Sequence, residues 1–229
     1  MVLLTQINMA DLVQKHDFVE VEYTGRLPDG IVFDTTNEDV AKKNNLHSEK
    51  MKYGSATICV GEKQLLPGLD NELVGKELAK QYTITLAPEQ AFGKRDIKKM
   101  KIVPMSTFIE HKLNPRPGLQ INVDGEIGTV TQVSGGRVIV NFNHPLAGKE
   151  VIYDVLVKRK VIDNIEKIKA FLNTSLRIPE DKIKVTISEE KAMVEIPAQM
   201  PAQIAELLGK KLAEVTQLKM VEIANKEEK

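Results

Sequence analysis

Apolar and polar residues alternate along much of the chain. In Val19–Thr24, residues 19, 21 and 23 share one face and Glu20, Glu22 and Thr24 the other, the two-residue period of a strand with one buried side. Leu27-Pro28-Asp29-Gly30 is a turn, because Pro presets φ and Gly accepts positive φ, and Ile31–Asp34 returns as a second strand. Asn37–Lys43 reads as a helical excursion and Ser55–Val60 as a further strand. In Gln81–Leu86, Tyr82, Ile84 and Leu86 point inward. Between these strands the period changes. Leu66, Leu69 and Leu73 fall at i, i+3 and i+7, one face of a helix. Pro67 suits its first position, Asp70 its first turn and Gly75 the position just past its end. So short a helix depends on packing. Its leucines are either plain core or the floor of an apolar pocket.

The composition shifts after Gly93 and again after residue 158. Arg95–Lys101 is basic, Pro104–Phe108 reads as a strand end entering a helix, and Asn114–Gly118 is a stiff loop. Residues 119–142 read as strands broken by the turn sequences Val123–Glu126 and Ser134–Arg137. Val151–Val157 is almost wholly apolar, as a strand buried on both faces is. Beyond it, Ile165, Ile168 and Leu172 mark a helix over 162–172, and Ile183–Ile187 and Ala192–Ile196 flank a hairpin turn. Pro201–Val215 is an amphipathic helix with Ile204, Leu207, Leu208 and Leu212 on one stripe. Leu218–Ile223 reads as a last strand. At the ends, Asn8 caps a turn through Val13, and the charged tail 225–229 frays. The class predicted is α+β.

The 229 residues include 32 Lys+Arg and 32 Asp+Glu. A formal charge of zero argues against bulk attraction to nucleic acid or an anionic membrane, so neither is expected as a partner. The basic stretch 94–101 then reads as a solvated face, and an RNA-adaptor role is disfavoured. Cys59 is the single cysteine, which excludes an intrachain disulfide and suits a reducing compartment. No stretch approaches the roughly 20 apolar residues of a membrane span, and Met1–Leu4 lacks a signal-peptide pattern; a cytoplasmic location is expected. His16, His47, His111 and His144 are scattered, with no His/Cys cluster, no phosphate loop and no Ser/His/Asp constellation. No metal and no cofactor are expected.

Four segments align in order and spacing: Val21-Glu22-Tyr23-Thr24-Gly25, Gly30-Ile31-Val32-Phe33-Asp34, Val60-Gly61-Glu62 with Leu65-Leu66-Pro67-Gly68-Leu69, and Ala91-Phe92-Gly93. Together they resemble the FKBP-type peptidyl-prolyl cis–trans isomerases. Asn143-His144-Pro145-Leu146-Ala147-Gly148-Lys149 is similar to the SlyD-like branch, in which an insert-in-flap domain follows the Ala-aromatic-Gly motif. The resemblance covers residues 1–158. It implies an antiparallel sheet wrapped round a short helix, with an isomerase domain of residues 1–93 and 143–158. It further implies an insert of residues 94–142, mostly β, and leaves residues 159–229 as a C-terminal α+β domain.

By position in that family, Tyr23, Phe33 and Asp34 line one side of a proline pocket. Leu65 and Leu66 carry the backbone that meets the substrate. Leu69 is the floor, Phe92 the flap-side wall and Tyr153 the far wall, with Tyr23, Asp34 and Phe92 as the catalytic set. Two positions depart from the family pattern: the floor is often Trp, and the wall aromatic usually Tyr. The aromatics read equally as ordinary core when taken singly. X-Pro rotation opposes a barrier of about 18–20 kcal/mol but breaks no bond, so an apolar box that favours the twisted amide suffices. The resemblance thus implies proline isomerisation on unfolded polypeptides; the alternative is a polypeptide binder that kept the scaffold and lost turnover.

In the insert, Met100, Ile102, Val103, Met105, Phe108 and Ile109 are apolar in a region too small for a large core. Either they form the insert's own core, or Met100, Ile102, Met105, Phe108 and Ile109 present a holdase surface to unfolded chains. Residues 159–229 carry no nameable motif. About 70 residues bury a modest core, which self-association commonly supplements; a homodimer through this domain is the expectation.

Overall fold

The structure, a computed structural model, describes residues 12–197 and 199–225. Up to residue 11 the turn expected from Asn8 lies outside them, as does the tail from residue 226. The chain divides into two compact units, residues 1–86 with 151–229, and residues 87–150. The α+β class and the antiparallel sheet round a short helix are what the chain adopts.

The first unit is built on β1 (Phe18–Arg26) and β9 (Val151–Lys160), which pair antiparallel from Val19 to Arg26. β2 (Val32–Thr35), β3 (Ala56–Cys59) and β4 (Lys80–Leu86) complete a five-stranded sheet, with β2 and β3 on β1 and β4 on β9. Val19, Val21, Val151, Val155 and Val157 are buried. β9 is inserted between β1 and β4, so both its edges are paired, but only its Val151–Tyr153–Val155–Val157 face is buried; Ile152 and Leu156 on the other face are half-buried, so the two buried faces its apolar run predicts are not found. α1 (Glu38–Lys43) is capped by the Asn37 side chain, which accepts from the Val40 N–H. α2 (Pro67–Leu73) starts with Pro at its first position, buries Leu69 and Leu73, and is followed by Gly75 at φ +81°.

In the same unit α4 (Asn164–Leu176) and α5 (Ala202–Thr216) pack with a three-stranded sheet, β10 (Lys184–Ser188), β11 (Lys191–Ile196) and β12 (Met220–Asn225). β11 and β12 run parallel and are joined through α5. This lobe does not build its core alone. Ile168, Phe171, Leu172, Val194 and Leu212 form one cluster with Phe18 and Cys59 of the first sheet, and the rings of Phe18 and Phe171 lie 6.4 Å apart.

The face of α5 differs from the stripe its leucines predict. Leu212 is buried and Leu208 partly so, but Ile204 is 50% and Leu207 64% exposed. The reason is Gly209: a β-carbon there would overlap the Val221 carbonyl oxygen. The helix is drawn against β12 through its smallest residue, and that rotation leaves Ile204 and Leu207 outside.

The second unit holds β5 (Met100–Pro104), α3 (Met105–Glu110), β6 (Gln120–Val123), β7 (Glu126–Ser134) and β8 (Arg137–Asn141), in sheet order β5-β8-β7-β6. Phe108, Val130, Val138 and Val140 are its core, with Val103, Met105, Leu119, Ile121 and Phe142 packed against them. Phe108 therefore corrects the holdase-surface expectation: it is 3% exposed, since α3 turns its one aromatic onto the sheet. Met105 likewise packs on that core. Met100, Ile102 and Ile109 remain exposed.

Candidate active site

Tyr23, Gly25 and Arg26 sit where β1 is shared by both neighbours. Gly25 faces Tyr153 across β9 and Asp34 across β2, and the β1–β2 register shifts between Gly25 and Arg26. A β-carbon on Gly25 would stand 2.9 Å from ring atoms of both Phe33 and Tyr153. The absent side chain is therefore what lets the two rings close over the strand. Tyr153 meets Phe33 edge-on at 5.7 Å and Tyr23 at 5.8 Å between centroids, the geometry that sets positive ring edges on negative faces. Tyr153 is buried at 2% exposure and backs the other two, which are half-buried. The result is an aromatic corner with a firm back and an accessible front.

Asp34 adds the one charge. Its carboxylate accepts from the Tyr23 hydroxyl and the Thr35 backbone N–H. Burial raises its pKa, outweighing those donors, which lower it. Burial and then the Asp34 charge push the Tyr23 phenol up to about 12, and burial likewise raises Tyr153. Tyr23 thus stays protonated and donating across the physiological range. Two buried threonines fix the exit of β2. Thr36 Oγ1 accepts from the Tyr23 N–H at 2.9 Å, and the hydroxyls of Thr24 and Thr35 bond at 2.8 Å.

Leu65, Leu66 and Leu69 lie on the loop and helix that follow β3. Asp70 is 2% exposed, and its two carboxylate oxygens accept from the backbone N–H of Gly61 (2.9 Å) and Lys63 (3.0 Å). The residue expected only to complement the helix dipole is thus the anchor of the loop. Leu66 caps α2 through its backbone, and its carbonyl accepts from the Asp70 N–H at 2.9 Å. Among the described residues the amide N–H of Leu65 and of Leu66 has no acceptor. These are two half-buried donors ready for a substrate carbonyl. Leu69 is 1% exposed.

The sequence brings Tyr23, Phe33, Asp34 and Tyr153 into one cluster, with Leu65, Leu66 and Leu69 on α2 and its approach in the same unit. Phe92 stands in the second unit, where its ring stacks on His144 at 4.6 Å and 3°. Sequence reasoning gave no role to Gly25, although it quoted it in the Tyr-Thr-Gly motif. It also missed Met51 and Tyr53, which with Phe33, Asp34, Ala41 and Leu46 line a side cavity of ≈ 90 Å³. Residues 44–54 have no period, so only the long loop itself could have drawn notice.

The sequence pattern of the FKBP-type peptidyl-prolyl cis-trans isomerases matches residues 10–109. That of "FKBP26, IF domain" matches residues 101–146. The chain is 32% identical over 150 residues to the short-type peptidyl-prolyl cis-trans isomerase of Methanocaldococcus jannaschii, spanning 66% of this chain and 95% of that one. The chain belongs to the FKBP-type peptidyl-prolyl cis–trans isomerases. It is also 29% identical over 149 residues to SlyD, an FKBP-type isomerase of Vibrio cholerae, covering 63% of this chain and 67% of SlyD. Over 154 residues it is 29% identical to the FKBP-type 16 kDa isomerase of Escherichia coli K12, covering 65% and 94%.

Proposed function

We propose that this isomerase turns X-Pro bonds of unfolded polypeptides at the Tyr23–Phe33–Tyr153 corner. The amides of Leu65 and Leu66 clamp the substrate backbone, and Leu69 acts as floor. The observation that carries this is that the rings of Phe33 and Tyr153 close over the side-chain-free position Gly25, with Tyr23 edge-on to Tyr153 and donating to the Asp34 carboxylate. The planar amide is stabilised by resonance and by water on its polar atoms. An apolar box withholds that water, and the backbone clamp holds the chain on one side of the bond while the other side turns. The twisted amide, having lost charge separation, gives up less there than the planar one does, and the barrier falls. Asp34 holds Tyr23 in place and sets a negative field beside the twisting bond; no proton moves.

Asp34→Ala is expected to lower kcat/KM on a short proline peptide about tenfold, read by exchange NMR with circular dichroism unchanged. An unchanged rate would remove Asp34 from the mechanism. A scaffold that binds without turnover is separated by a proline-limited refolding assay, which a pure binder slows or leaves unchanged. Asp34→Asn carries a second expectation. A carboxyl with a raised folded pKa favours the protonated form, so its contribution is fully present at low pH and lost as pH rises through that pKa. Asparagine keeps the acceptor without the charge. The variant is expected to melt about 2 °C above the parent at neutral pH, the gain vanishing on acidification. Equal melting at both pH values would contradict it.

The insert is proposed to hold the unfolded chain. A cavity of ≈ 450 Å³ in this unit is lined by Val103, Phe108, Leu113, Ile121, Val123 and Phe142, among others. Ile102, Ile109, Leu113 and Val123 are 63, 66, 44 and 41% exposed, an apolar surface of the kind that marks interaction sites. A cytoplasmic setting is proposed on the single cysteine, Cys59, which is buried and in no disulfide; none of the described helices is long and apolar enough to cross a membrane.

The C-terminal lobe is proposed to pair with a second copy. β12 is an edge strand, and the ≈ 550 Å³ groove along it is lined largely by apolar and small residues, among them Met193, Ala205, Gly209, Ala213, Met220 and Ile223, an open edge and apolar face that a second copy can cover. Twice the chain mass by light scattering at micromolar concentration is the expected result; a single-chain mass would refute it.

A further inference from the structure

The loop between β3 and α2 is held from two sides by alternate residues. From the α2 side, Asp70 binds the backbone of Gly61 and Lys63. From the C-terminal lobe, the intervening side chains are taken. Lys211 of α5 pairs with Glu62 at 2.7 Å, and Ser175 of α4 accepts from Gln64 Nε2 at 3.2 Å. Glu62 is only 11% exposed at its side chain and also meets His16 Nε2 at 3.2 Å. Gln64 Oε1 in turn accepts from the Cys59 N–H at 2.7 Å, at the end of β3. The loop needs this holding. Gly61 and Lys63 both have positive φ, +88° and +56°, and a lysine in that region relaxes to ordinary backbone when released.

We propose that the C-terminal lobe is a positioning element of the isomerase site. Lys211 through Glu62, and Ser175 through Gln64, set the loop that delivers the Leu65 and Leu66 amides to the substrate. This rests on the reading that those amides clamp the substrate backbone. Neither Lys211 nor Ser175 touches substrate; each acts through a loop residue. A pre-ordered loop loses less freedom on binding. Because the clamp grips the flanking chain equally in planar and twisted states, the effect falls on KM and spares kcat.

The test uses the full-length chain and a short proline peptide, with cis/trans exchange followed by NMR over a range of peptide concentrations. Lys211→Met is expected to raise KM about three- to tenfold with kcat within about twofold, and Lys211→Arg to restore it. Glu62→Gln added to Lys211→Met is expected to raise KM no further, because the Lys211 contact is already gone and glutamine keeps an acceptor for His16 Nε2. Ser175→Ala removes the second tie and is expected to move KM in the same direction, which keeps the proposal testable if Lys211→Met folds poorly. A lowered melting temperature with unchanged KM in both variants would make the lobe a mere structural support and overturn the proposal. Asp34→Ala is run alongside. If it lowers kcat/KM while Lys211→Met and Ser175→Ala leave KM alone, the positioning role fails and the site stands. If all three leave the kinetics unchanged, the site reading itself falls.

Discussion

Replacing residues 97–141 with a short glycine-serine linker is expected to leave catalysis on a short proline peptide within about twofold while lowering catalysis of proline-limited protein refolding about a hundredfold, the order of gain that tethering a substrate near a second site provides. The cut is placed by hydrogen bonds. Asp96 and Asn143 exchange two, from the Asp96 N–H to Asn143 Oδ1 at 2.8 Å and from Asn143 Nδ2 to the Asp96 carbonyl at 2.9 Å, so the cut ends are already adjacent. The Phe92–His144 stack lies outside the excised stretch and is kept. What is removed has its own core, Phe108 with Val130, Val138 and Val140, so its loss takes no buried side chain from the isomerase sheet. A peptide presents its proline directly to the pocket. An unfolded protein must be retained while its prolines are sampled, which is the work assigned to the exposed apolar surface of the insert. Undiminished refolding catalysis would show that the insert holds nothing.

Gly25→Ala is expected to lower kcat/KM on the same peptide about a hundredfold, the size of loss that a displacement of about 1 Å at a reacting centre produces. The added methyl would meet two rings at 2.9 Å, and neither can yield freely. Tyr153 is buried at 2% and Phe33 is the more exposed of the two, so Phe33 or the β1–β2 pairing must shift, and Asp34 moves with β2. The effect is steric, because Gly25 is not among the residues of positive φ. Overpacking typically costs about 1–3 kcal/mol, so a modestly lower melting temperature should accompany a far larger loss of activity. Near-normal turnover would show that the rings do not define the proline box.

Much of this architecture was legible from period alone. Val19–Thr24 and Gln81–Leu86 alternate and form strands, and the Leu66–Leu69–Leu73 spacing with Pro67 gives a helix of the expected length. Local rules suffice there because each element buries one face against a single layer. They fail on α5, where four apolar residues at helical spacing are split between core and solvent. A close approach at Gly209, set by a strand still to come in the chain, decides which face turns inward. They were undecided on Phe108, since a short apolar run reads alike as core or as surface until its sheet is in place. Asp70 shows the same limit at the site. Its position in the first turn explains an acid there, but nothing nearby in sequence says that its oxygens reach back to Gly61 and Lys63.

The amino-acid order on its own determined the strands, the short helix and the family, because these depend on residue period and on motifs only a few positions long. Tertiary structure alone decided that Gly25 is the vacancy into which Phe33 and Tyr153 close, and that burial raises the Asp34 carboxyl while Tyr23 donates to it. It also decided that Lys211 and Ser175 reach Glu62 and Gln64 from more than a hundred positions away. Such facts arise where separate strands and helices converge, and the free energy of a contact depends on the distance and burial of its partners, quantities that no one-dimensional pattern carries.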